Sequence, residues 1–283
     1  MLELGKTHAL EVVKHVDFGL YLAGDTPEEE ILLPERYLPE DEDAWAVGQF
    51  LDVFIYLDSE DRPIATTEVP YAEVGDCALL SVVDKGEFGS FLDWGLMKDL
   101  LVPFKEQRVP MEVGRSYVVY VYLDVTGRLC ASSCLDRHLN EKNDRDFDFR
   151  QSVNLLVSSR SDLGYKAVIN GTHLGLIHNN EVVRPIKTGD RFTGYIGEAR
   201  EDGRINISLQ KQSHQMRKDL SEEILAYLVQ CGGSSSLTDK STPDEIYRIF
   251  HASKGNYKKA LGKLYREKRV VLTKNRIALL PGK

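Results

Sequence analysis

Two aromatic residues three positions apart are the feature of this sequence with the most specific chemistry. Phe88 and Phe91 enclose Gly89 and Ser90 in a stretch of β-branched and aromatic residues, which favours short antiparallel strands. Because side chains alternate between the faces of a strand, the two rings share a face only if the glycine or a bulge interrupts the alternation. Exposed rings suit single-stranded nucleic acid, since each stacked base contributes about 1–3 kcal/mol. The alternative is that both rings belong to a hydrophobic core.

Basic side chains occur close to this aromatic pair in the sequence. They are Lys85, Lys98, Lys105 and Arg108. We expect them to flank the rings and to contact the phosphates of a bound strand. The alternative is that they are ordinary surface cations.

The aromatic pattern recurs in two other places. Phe18 to Tyr21 is a close match, and Leu163 to Lys166 is a weaker third copy. Each copy is followed by an apolar run and then by a polar hairpin turn; these turns are 58–62, 124–128 and 200–204. Landmarks that recur in the same order, about every 70 residues, indicate tandem domains.

The repeated unit resembles the S-one RNA-binding domain, a five-stranded barrel of the OB class. In that family two aromatic residues, a histidine after the third strand, and an aspartate and arginine in the last hairpin bind single-stranded RNA. The resemblance implies this role for Phe88, Phe91, Asp124 and Arg128 in the second copy. It implies a weaker site in the first copy, formed by Phe18, Tyr21, Asp58 and Arg62.

The family's histidine is replaced in the first two copies and present in the third. Pro34 and Pro103 stand in its place in the first and second copies, whereas the third has His178. The resemblance therefore implies RNA contacts for His178 and Arg204. Tyr165, Lys166, Arg191 and Arg200 could add stacking or phosphate contacts. A structural histidine is the alternative for His178.

The C-terminal segment changes from strand periodicity to helical periodicity. Ile224, Leu225 and Leu228 form an apolar stripe, Pro243 occupies a typical first helical position, and a hairpin follows a third helix. Three helices and a hairpin predict a winged helix domain. Its basic residues are expected to hold phosphates; they are Lys254, Lys258, Lys259, Lys263, Arg266, Arg269, Lys274 and Arg276. The alternative is a solvated basic face, and the abundance of lysine argues against base readout.

The complete arrangement resembles the conserved virulence factor B family of bacterial RNA-binding proteins. The predicted fold is mainly β with a C-terminal α+β domain. It comprises three tandem five-stranded OB barrels followed by a winged helix domain. The expected domain boundaries are 1–66, 67–138, 153–212 and 214–283.

Charge is distributed unevenly over the chain, whose formal net charge is −8. Residues 1–66 contain 4 basic and 16 acidic side chains, whereas residues 251–283 contain 10 basic and 1 acidic. Acidic loops repel RNA over a screening distance of about 8–10 Å. We therefore expect weak RNA binding by the first barrel and a structural or protein-binding role for it.

The leading functional hypothesis is a non-enzymatic protein that binds single-stranded RNA. The family resemblance implies post-transcriptional regulation of gene expression. Two alternatives remain open: a DNA-binding regulator that uses the winged helix, and an adapter whose acidic first barrel docks on the ribosome or another basic protein. The sequence contains no phosphate-binding loop, no recognisable Ser, His and Asp set, and no His and Glu pair at metal-binding spacing on a helix. We therefore expect neither a cofactor nor a catalytic residue.

The remaining signals concern compartment and thiol chemistry. No segment approaches the ~20 apolar residues that cross a bilayer, and the N-terminal residues lack a signal-peptide pattern. A cytoplasmic protein without membrane contact is therefore expected. Cys130, Cys134 and His138 are evenly spaced, but no further ligand cluster follows. We expect inert thiols and no metal site.

Overall fold

The computed structural model describes residues 2–26, 29–38, 45–58, 60, 62–144, 146–182, 185–198, 200–209, 220–250, 252–273 and 276–280. Three closed five-stranded barrels precede a domain of three α-helices and a three-stranded sheet in this part of the chain. The predicted fold class is confirmed. Contacts divide the chain into two compact units, 1–140 with 171–174, and 141–170 with 175–283.

The first barrel has the strand order β1-β2-β3-β5-β4. Its strands are β1 Thr7–Val16, β2 Gly19–Ala23, β3 Glu30–Pro34, β4 Phe50–Leu57 and β5 Pro63–Thr66. Apolar residues alternate inward along these strands and bury a core that includes Val12, Leu22 and Val53. The third and fifth strands pair in parallel and close the barrel.

The second and third barrels are built in the same way. The second consists of β6 Cys77–Lys85, β7 Gly89–Asp93, β8 Leu100–Pro103, β9 Ser116–Leu123 and β10 Leu129–Ser132. The third consists of β11 Ser152–Ser161, β12 Gly164–Ile169, β13 His173–His178, β14 Arg191–Ile196 and β15 Ile205–Ser208. In each barrel the third and fifth strands again pair in parallel.

The first two barrels share a hydrophobic core. Phe54 and Tyr56 of β4 pack in one buried cluster with Trp94, which follows β7. The Phe54 and Trp94 rings meet edge to face with centroids 5.6 Å apart. The N–H of Thr7 also donates to the Glu73 carboxylate at 3.0 Å. This packing makes the two barrels one body.

One glycine in each barrel allows the second and third strands to approach closely. A Cβ added to Gly19, Gly89 or Gly164 would lie 1.9 to 2.1 Å from a carbonyl oxygen of the third strand. No side chain fits at that distance. The glycine between the two aromatic positions is therefore required for barrel closure.

Substitution of Gly89 tests this requirement. We expect Gly89→Ala to destabilise the second barrel by about 3 kcal/mol or more, because a methyl group would force the strands apart. Thermal unfolding measures the change. Gly262→Ala is the control, since nothing lies within 4 Å of a Cβ there and alanine favours a helix by about 1 kcal/mol. Equal stability of Gly89→Ala and the parent protein would contradict the close approach.

The C-terminal domain places helices against a small sheet of order β16-β18-β17. Its elements are α1 Leu220–Gln230, β16 Ser234–Ser235, α2 Pro243–Phe250, α3 Lys254–Arg266, β17 Val270–Leu272 and β18 Ile277–Leu279. Thr242 caps α2 in exchange with Glu245, whose carboxylate accepts the N–H of Thr242 at 2.8 Å. Ser253 caps α3 by accepting the N–H of Asn256.

Tyr257 lies at the centre of the core of this domain. Its ring stacks on Phe250 with centroids 5.3 Å apart, and its hydroxyl donates to the Leu237 carbonyl at 3.0 Å. The helix α3 therefore buries one face and leaves the opposite face in solvent. Among the described residues, no helix is both long and apolar enough to cross a bilayer.

Candidate nucleic-acid interface

The aromatic pair of the second barrel lies on the outside of the molecule. Phe88 precedes β7 with 75% of its surface exposed, and Phe91 is half-buried within β7. The Phe91 ring lies over the turn between β6 and β7, where a Cβ on Gly86 would come within 2.9 Å of it. The alternative reading of these rings as barrel core is wrong for Phe88.

The β-bulge near the aromatic pair lies in β6, the strand that pairs with β7. The β6–β7 register shifts between Val82 and Asp84, so Val83 bulges out and is exposed. Gly89 instead permits the close approach of β8. A sequence contains no register, so it could not distinguish these two roles.

A row of side chains crosses the outer face of the second barrel beside Phe91. Strand pairing aligns Phe91 with Leu101, Leu101 with Cys130, and Cys130 with Tyr122. Partners in register project from the same face, and this face is opposite the core that contains Val102. Leu101 is half-buried and Cys130 is buried. The exposed surface of this row comes from Phe91, Leu101 and Tyr122, because Cys130 is only 3% exposed.

Phe104 is an exposed ring next to this surface that the sequence patterns did not identify. Its N–H donates to the Phe88 carbonyl at 3.2 Å, and 56% of its surface is exposed. It immediately follows Pro103, which stands in the histidine place. The equivalent donors in the other barrels are Glu35 and Asn179, so an aromatic residue occurs here in the second barrel alone among the three.

His138 was also missed as a component of this barrel. Its ring stacks on Tyr120 with centroids 4.8 Å apart and lies 4.7 Å from the Tyr122 ring. Burial, followed by the charge of Glu106, raises the pKa of Tyr122 to about 12. His138 thus extends the outer face from a segment beyond the last strand. In the sequence, His138 was considered only for its spacing to two cysteines, and a metal site was not expected there.

The cations near the second barrel are placed differently from one another. Lys105 directly follows Phe104, Arg128 directly precedes β10, and both are exposed. Lys98 turns toward the first barrel, where its ammonium donates to the Leu57 carbonyl at 3.4 Å. Arg108 forms an ion pair with Asp136.

Lys85 lies where it was expected, whereas Lys98 does not. Lys85 is exposed at the end of β6 opposite Ser90, so it remains near the aromatic pair. Lys98 does not flank the rings, because it reaches across the interface between the two barrels. The positive charges beside the aromatic surface are Lys85, Lys105 and Arg128.

The Asp124 carboxylate holds the last hairpin of the second barrel together. One oxygen accepts the N–H groups of Thr126 and Arg128 at 2.8 and 3.0 Å, and also the Thr126 hydroxyl at 2.6 Å. Burial acts to raise the pKa of this carboxyl, but the hydrogen bonds lower it overall. Asp124 thus positions Arg128 through the backbone.

Replacing Asp124 should reveal this structural role. We expect Asp124→Ala to cost about 1 kcal/mol of stability at pH 7, since its hydrogen bonds are lost. Because the folded-state pKa is lowered, the contribution of Asp124 is present above the ordinary pKa of about 3.9 and disappears as pH falls through the lowered value. Urea unfolding at several pH values measures the difference. Asp124→Asn, which keeps an accepting oxygen, should lose less; an equal loss would contradict the hydrogen-bonding role.

The first barrel has the expected aromatic pair but neutralised cations. Phe18 is 55% exposed, and its ring meets Tyr21 edge to face with centroids 6.3 Å apart. Arg62 is bound by Asp58 at 2.9 Å. Hydrogen bonds from the Arg62 and Glu60 N–H groups lower the pKa of Asp58.

The third barrel presents polar and cationic groups at the equivalent positions. Lys166 is exposed, whereas Tyr165 packs against the barrel core and so is a poor stacking platform. His178 contacts the Asn206 side chain at 3.0 Å through Nε2.

The arginines of the third barrel are partly engaged. Arg204 pairs with Glu141 at 3.3 Å, and Arg200 forms a bidentate pair with Asp202 at 2.9 Å. Arg191 is exposed at the start of β14. This barrel therefore presents charged and polar groups rather than an aromatic surface.

The exposed face of α3 concentrates the basic residues of the winged helix domain. Lys258, Lys259, Lys263 and Arg266 are all exposed on a helix whose opposite face is buried. Spacings of four and seven residues bring Lys259, Lys263 and Arg266 to one side of this helix. We call the four residues the α3 basic face.

Three other predicted basic residues of this domain also contact neighbouring groups. Arg269 pairs with Glu222 at 2.5 Å, and Lys254 donates to the Lys240 carbonyl at 3.4 Å. Arg276 donates to the Ser234 hydroxyl. Lys274 lies outside the described residues.

The thiols do not form a reactive site in the part of the chain that the structure describes. Cys77, Cys130 and Cys134 are buried, whereas Cys231 is exposed. Burial raises the pKa of Cys130 to about 11. Cys231 follows the end of α1 and is the exposed thiol among these four.

Comparison with known proteins identifies both kinds of domain. The family model of the S1 domain matches residues 4–68 and 74–133, and that of the CvfB-like winged helix domain matches residues 222–279. These are classes of nucleic-acid-binding domain.

Similarity to individual proteins extends over nearly the whole chain. Uncharacterized protein YitL of Bacillus subtilis is 31% identical over 280 residues, which cover 94% of this chain and 90% of that protein. Conserved virulence factor B of Staphylococcus epidermidis is 26% identical, over 98% of this chain and 94% of its own. A crystal structure of a multidomain protein with nucleic acid binding domains from Streptococcus pneumoniae is 23% identical and covers 98% of both chains, with a TM-score of 0.40. The expected resemblance is confirmed, and the chain belongs to the conserved virulence factor B family.

Proposed function

We propose that this chain is a non-enzymatic protein that binds single-stranded RNA, with the second barrel stacking bases and the α3 basic face holding phosphates. The observation that carries the proposal is the exposure of Phe88 and Phe104 beside the half-buried Phe91. The three rings can stack on bases, and the nearby Lys105 and Arg128 can contact phosphates. Binding of an unpaired strand requires both kinds of contact.

Exposure of the first aromatic position recurs in all three barrels. Phe18, Phe88 and Leu163 are 55%, 75% and 64% exposed. Leaving a large apolar side chain in water forgoes about 1.5–3 kcal/mol of burial energy. Solvent exposure of this position in all three repeats therefore indicates that its side chain serves binding rather than packing. An aromatic ring at this position can stack on a base.

The winged helix supports electrostatic attachment. A helix with four exposed cations neutralises phosphates and releases counterions, which supplies affinity without sequence preference. Arginines that could read bases in pairs of hydrogen bonds are scarce on this face, where Arg266 stands among three lysines. We therefore assign α3 to the backbone of the bound nucleic acid.

A competition experiment separates the proposal from a DNA-binding regulator. A labelled twelve-nucleotide oligouridylate is bound to the full chain, and unlabelled RNA, single-stranded DNA and duplex DNA compete for it. Single strands should compete at least about tenfold better than duplex, because stacked bases within a duplex cannot reach the aromatic surface. Equal or stronger competition by duplex DNA would favour the DNA-binding alternative.

We infer a cytoplasmic role in post-transcriptional regulation of gene expression. The S1 domains matched at residues 4–68 and 74–133 and the proposed preference for unpaired RNA support this inference. Crosslinking in living cells followed by sequencing of the bound nucleic acid tests it. Recovery of messenger RNA is expected, and recovery of chromosomal DNA alone would contradict it.

A further inference from the structure

The first barrel contains a groove that the RNA-binding proposal does not use. Its volume is about 850 Å³, and its lining includes Phe18 and Tyr21 together with Leu4, Leu32 and Ile64. The groove therefore occupies the face that corresponds to the aromatic surface of the second barrel. An apolar lining of this kind favours a ligand with apolar parts.

The charge of the lining excludes a polyanion. Asp25, Glu29, Glu30 and Asp58 contribute carboxylates, and Arg62 is the single basic residue among the described residues of the lining. Arg62 is already bound by Asp58 at 2.9 Å and by Glu60 at 3.0 Å. A phosphate in this groove would meet carboxylates without a free positive charge.

An amino group of the chain itself contacts two residues of the groove lining, Tyr21 and Glu30. The ammonium of Lys14 lies 4.6 Å from the centre of the Tyr21 ring and 2.6 Å from a carboxylate oxygen of Glu30. A cation over an aromatic face with a carboxylate beside it is a favourable arrangement. The Lys14 and Glu30 side chains are 49% and 30% exposed, so a competing cation can reach the same position.

We propose that this groove binds an extended basic segment of a partner protein. A lysine or arginine of the partner replaces the Lys14 ammonium between Tyr21 and Glu30, and an apolar side chain next to it packs on Phe18 and Leu32. Charge complementarity decides the partner class: the aromatic pair of the first barrel lies beside carboxylates, whereas that of the second barrel lies near cations, which suit RNA.

The test uses the full chain and a fluorescein-labelled peptide, acetyl-(Lys-Leu)₄-amide. Fluorescence anisotropy measures its affinity for the protein. Phe18→Ala should weaken binding about tenfold, since an aromatic contact contributes on the order of one tenfold step. The pair Glu29→Gln and Glu30→Gln should weaken it by a similar factor. The pair Glu11→Gln and Asp52→Asn is the control, because it removes equal charge from exposed positions outside the lining.

Lys14→Met tests the proposal more specifically than the variants that weaken peptide binding, because it should strengthen that binding. It removes the resident ammonium while keeping an apolar stem over the ring, so affinity for the peptide should rise about threefold, a modest step for one exposed ion pair. Lys85→Met in the second barrel changes net charge identically and should have no such effect. An unchanged or weaker affinity of Lys14→Met would overturn the proposal, as would equal binding of the Gln-Leu version of the peptide.

The outcome is independent of RNA binding by the second barrel. The Phe88→Ala, Phe91→Ala protein is titrated with both the peptide and oligouridylate. Retained peptide binding with lost RNA binding supports both proposals. Unchanged RNA binding would overturn the RNA proposal alone, whereas failure of the parent protein to bind the peptide at millimolar concentration would overturn the groove proposal alone.

Discussion

Replacing Phe88 and Phe91 together by alanine should weaken binding of single-stranded RNA by at least about thirtyfold. Each lost base stack removes about 1–3 kcal/mol, and two stacks at the lower bound already give this factor. Thermal stability should change little through Phe88, which is 75% exposed. Anisotropy titration with a labelled oligouridylate measures the affinity.

Two further variants define the extent of the aromatic surface. Phe104→Ala should weaken binding by about tenfold on its own if this ring stacks on an additional base. Phe50→Ala in the first barrel is the matched control, because Phe50 is 65% exposed and does not line the groove of that barrel. Equal affinities of the Phe88→Ala, Phe91→Ala protein and the Phe50→Ala protein would show that exposed rings of the second barrel do not stack on bases.

Reversing charge on the α3 basic face should have the other large effect. Lys258→Glu, Lys259→Glu and Lys263→Glu together should lower RNA affinity by more than about tenfold at 0.15 M salt. If all three lysines contact phosphates, the slope of log K against log salt should become shallower by about 2, since each contact to a single strand contributes roughly 0.7. Titrations at four salt concentrations measure both quantities.

A cation of the same domain provides the control for this prediction. Arg269→Ala should leave the salt slope unchanged, because the Arg269 guanidinium is paired with Glu222 at 2.5 Å and lies outside α3. An equal loss of slope in Arg269→Ala and the triple reversal would indicate a general charge effect. An unchanged slope in the triple reversal would remove α3 from the interface.

The sequence was informative wherever a structural requirement is local. Gly19, Gly89 and Gly164 mark the close approach of two strands in each barrel, and their spacing revealed the three repeats. Pro243 marks the start of a helix, because the N–H at the first helical position makes no hydrogen bond within the helix and its absence in proline costs nothing. Elements defined by such nearby residues could therefore be predicted.

Pairing between distant residues was beyond the reach of the sequence patterns. Lys98 contacts Leu57, and Arg269 contacts Glu222, across 41 and 47 positions. Net charge within a segment does not show which cations are already bound. The basic residues of the winged helix were consequently predicted as one set, although several of them contact a neighbouring group: Arg269 pairs with Glu222, and Arg266 donates to the Gly262 carbonyl.

The additional rings of the second barrel were missed for different reasons. Phe104 directly follows the proline in the histidine place, and its position next to an expected site residue was a usable signal. His138 lies beyond the last strand and reaches Tyr120 and Tyr122 only through the path of the following turn. That contact depends on tertiary structure, so no periodic pattern in the sequence predicts it.

The most direct test of the central claim is ultraviolet crosslinking of the full chain to oligouridylate, with the attachment sites read by mass spectrometry. If unpaired bases stack on the second barrel, crosslinks should occur at Phe88, Phe91 or Phe104 and should disappear when unlabelled single-stranded RNA competes. Crosslinks confined to the winged helix, with none in residues 77–132 at saturating RNA, would contradict this account.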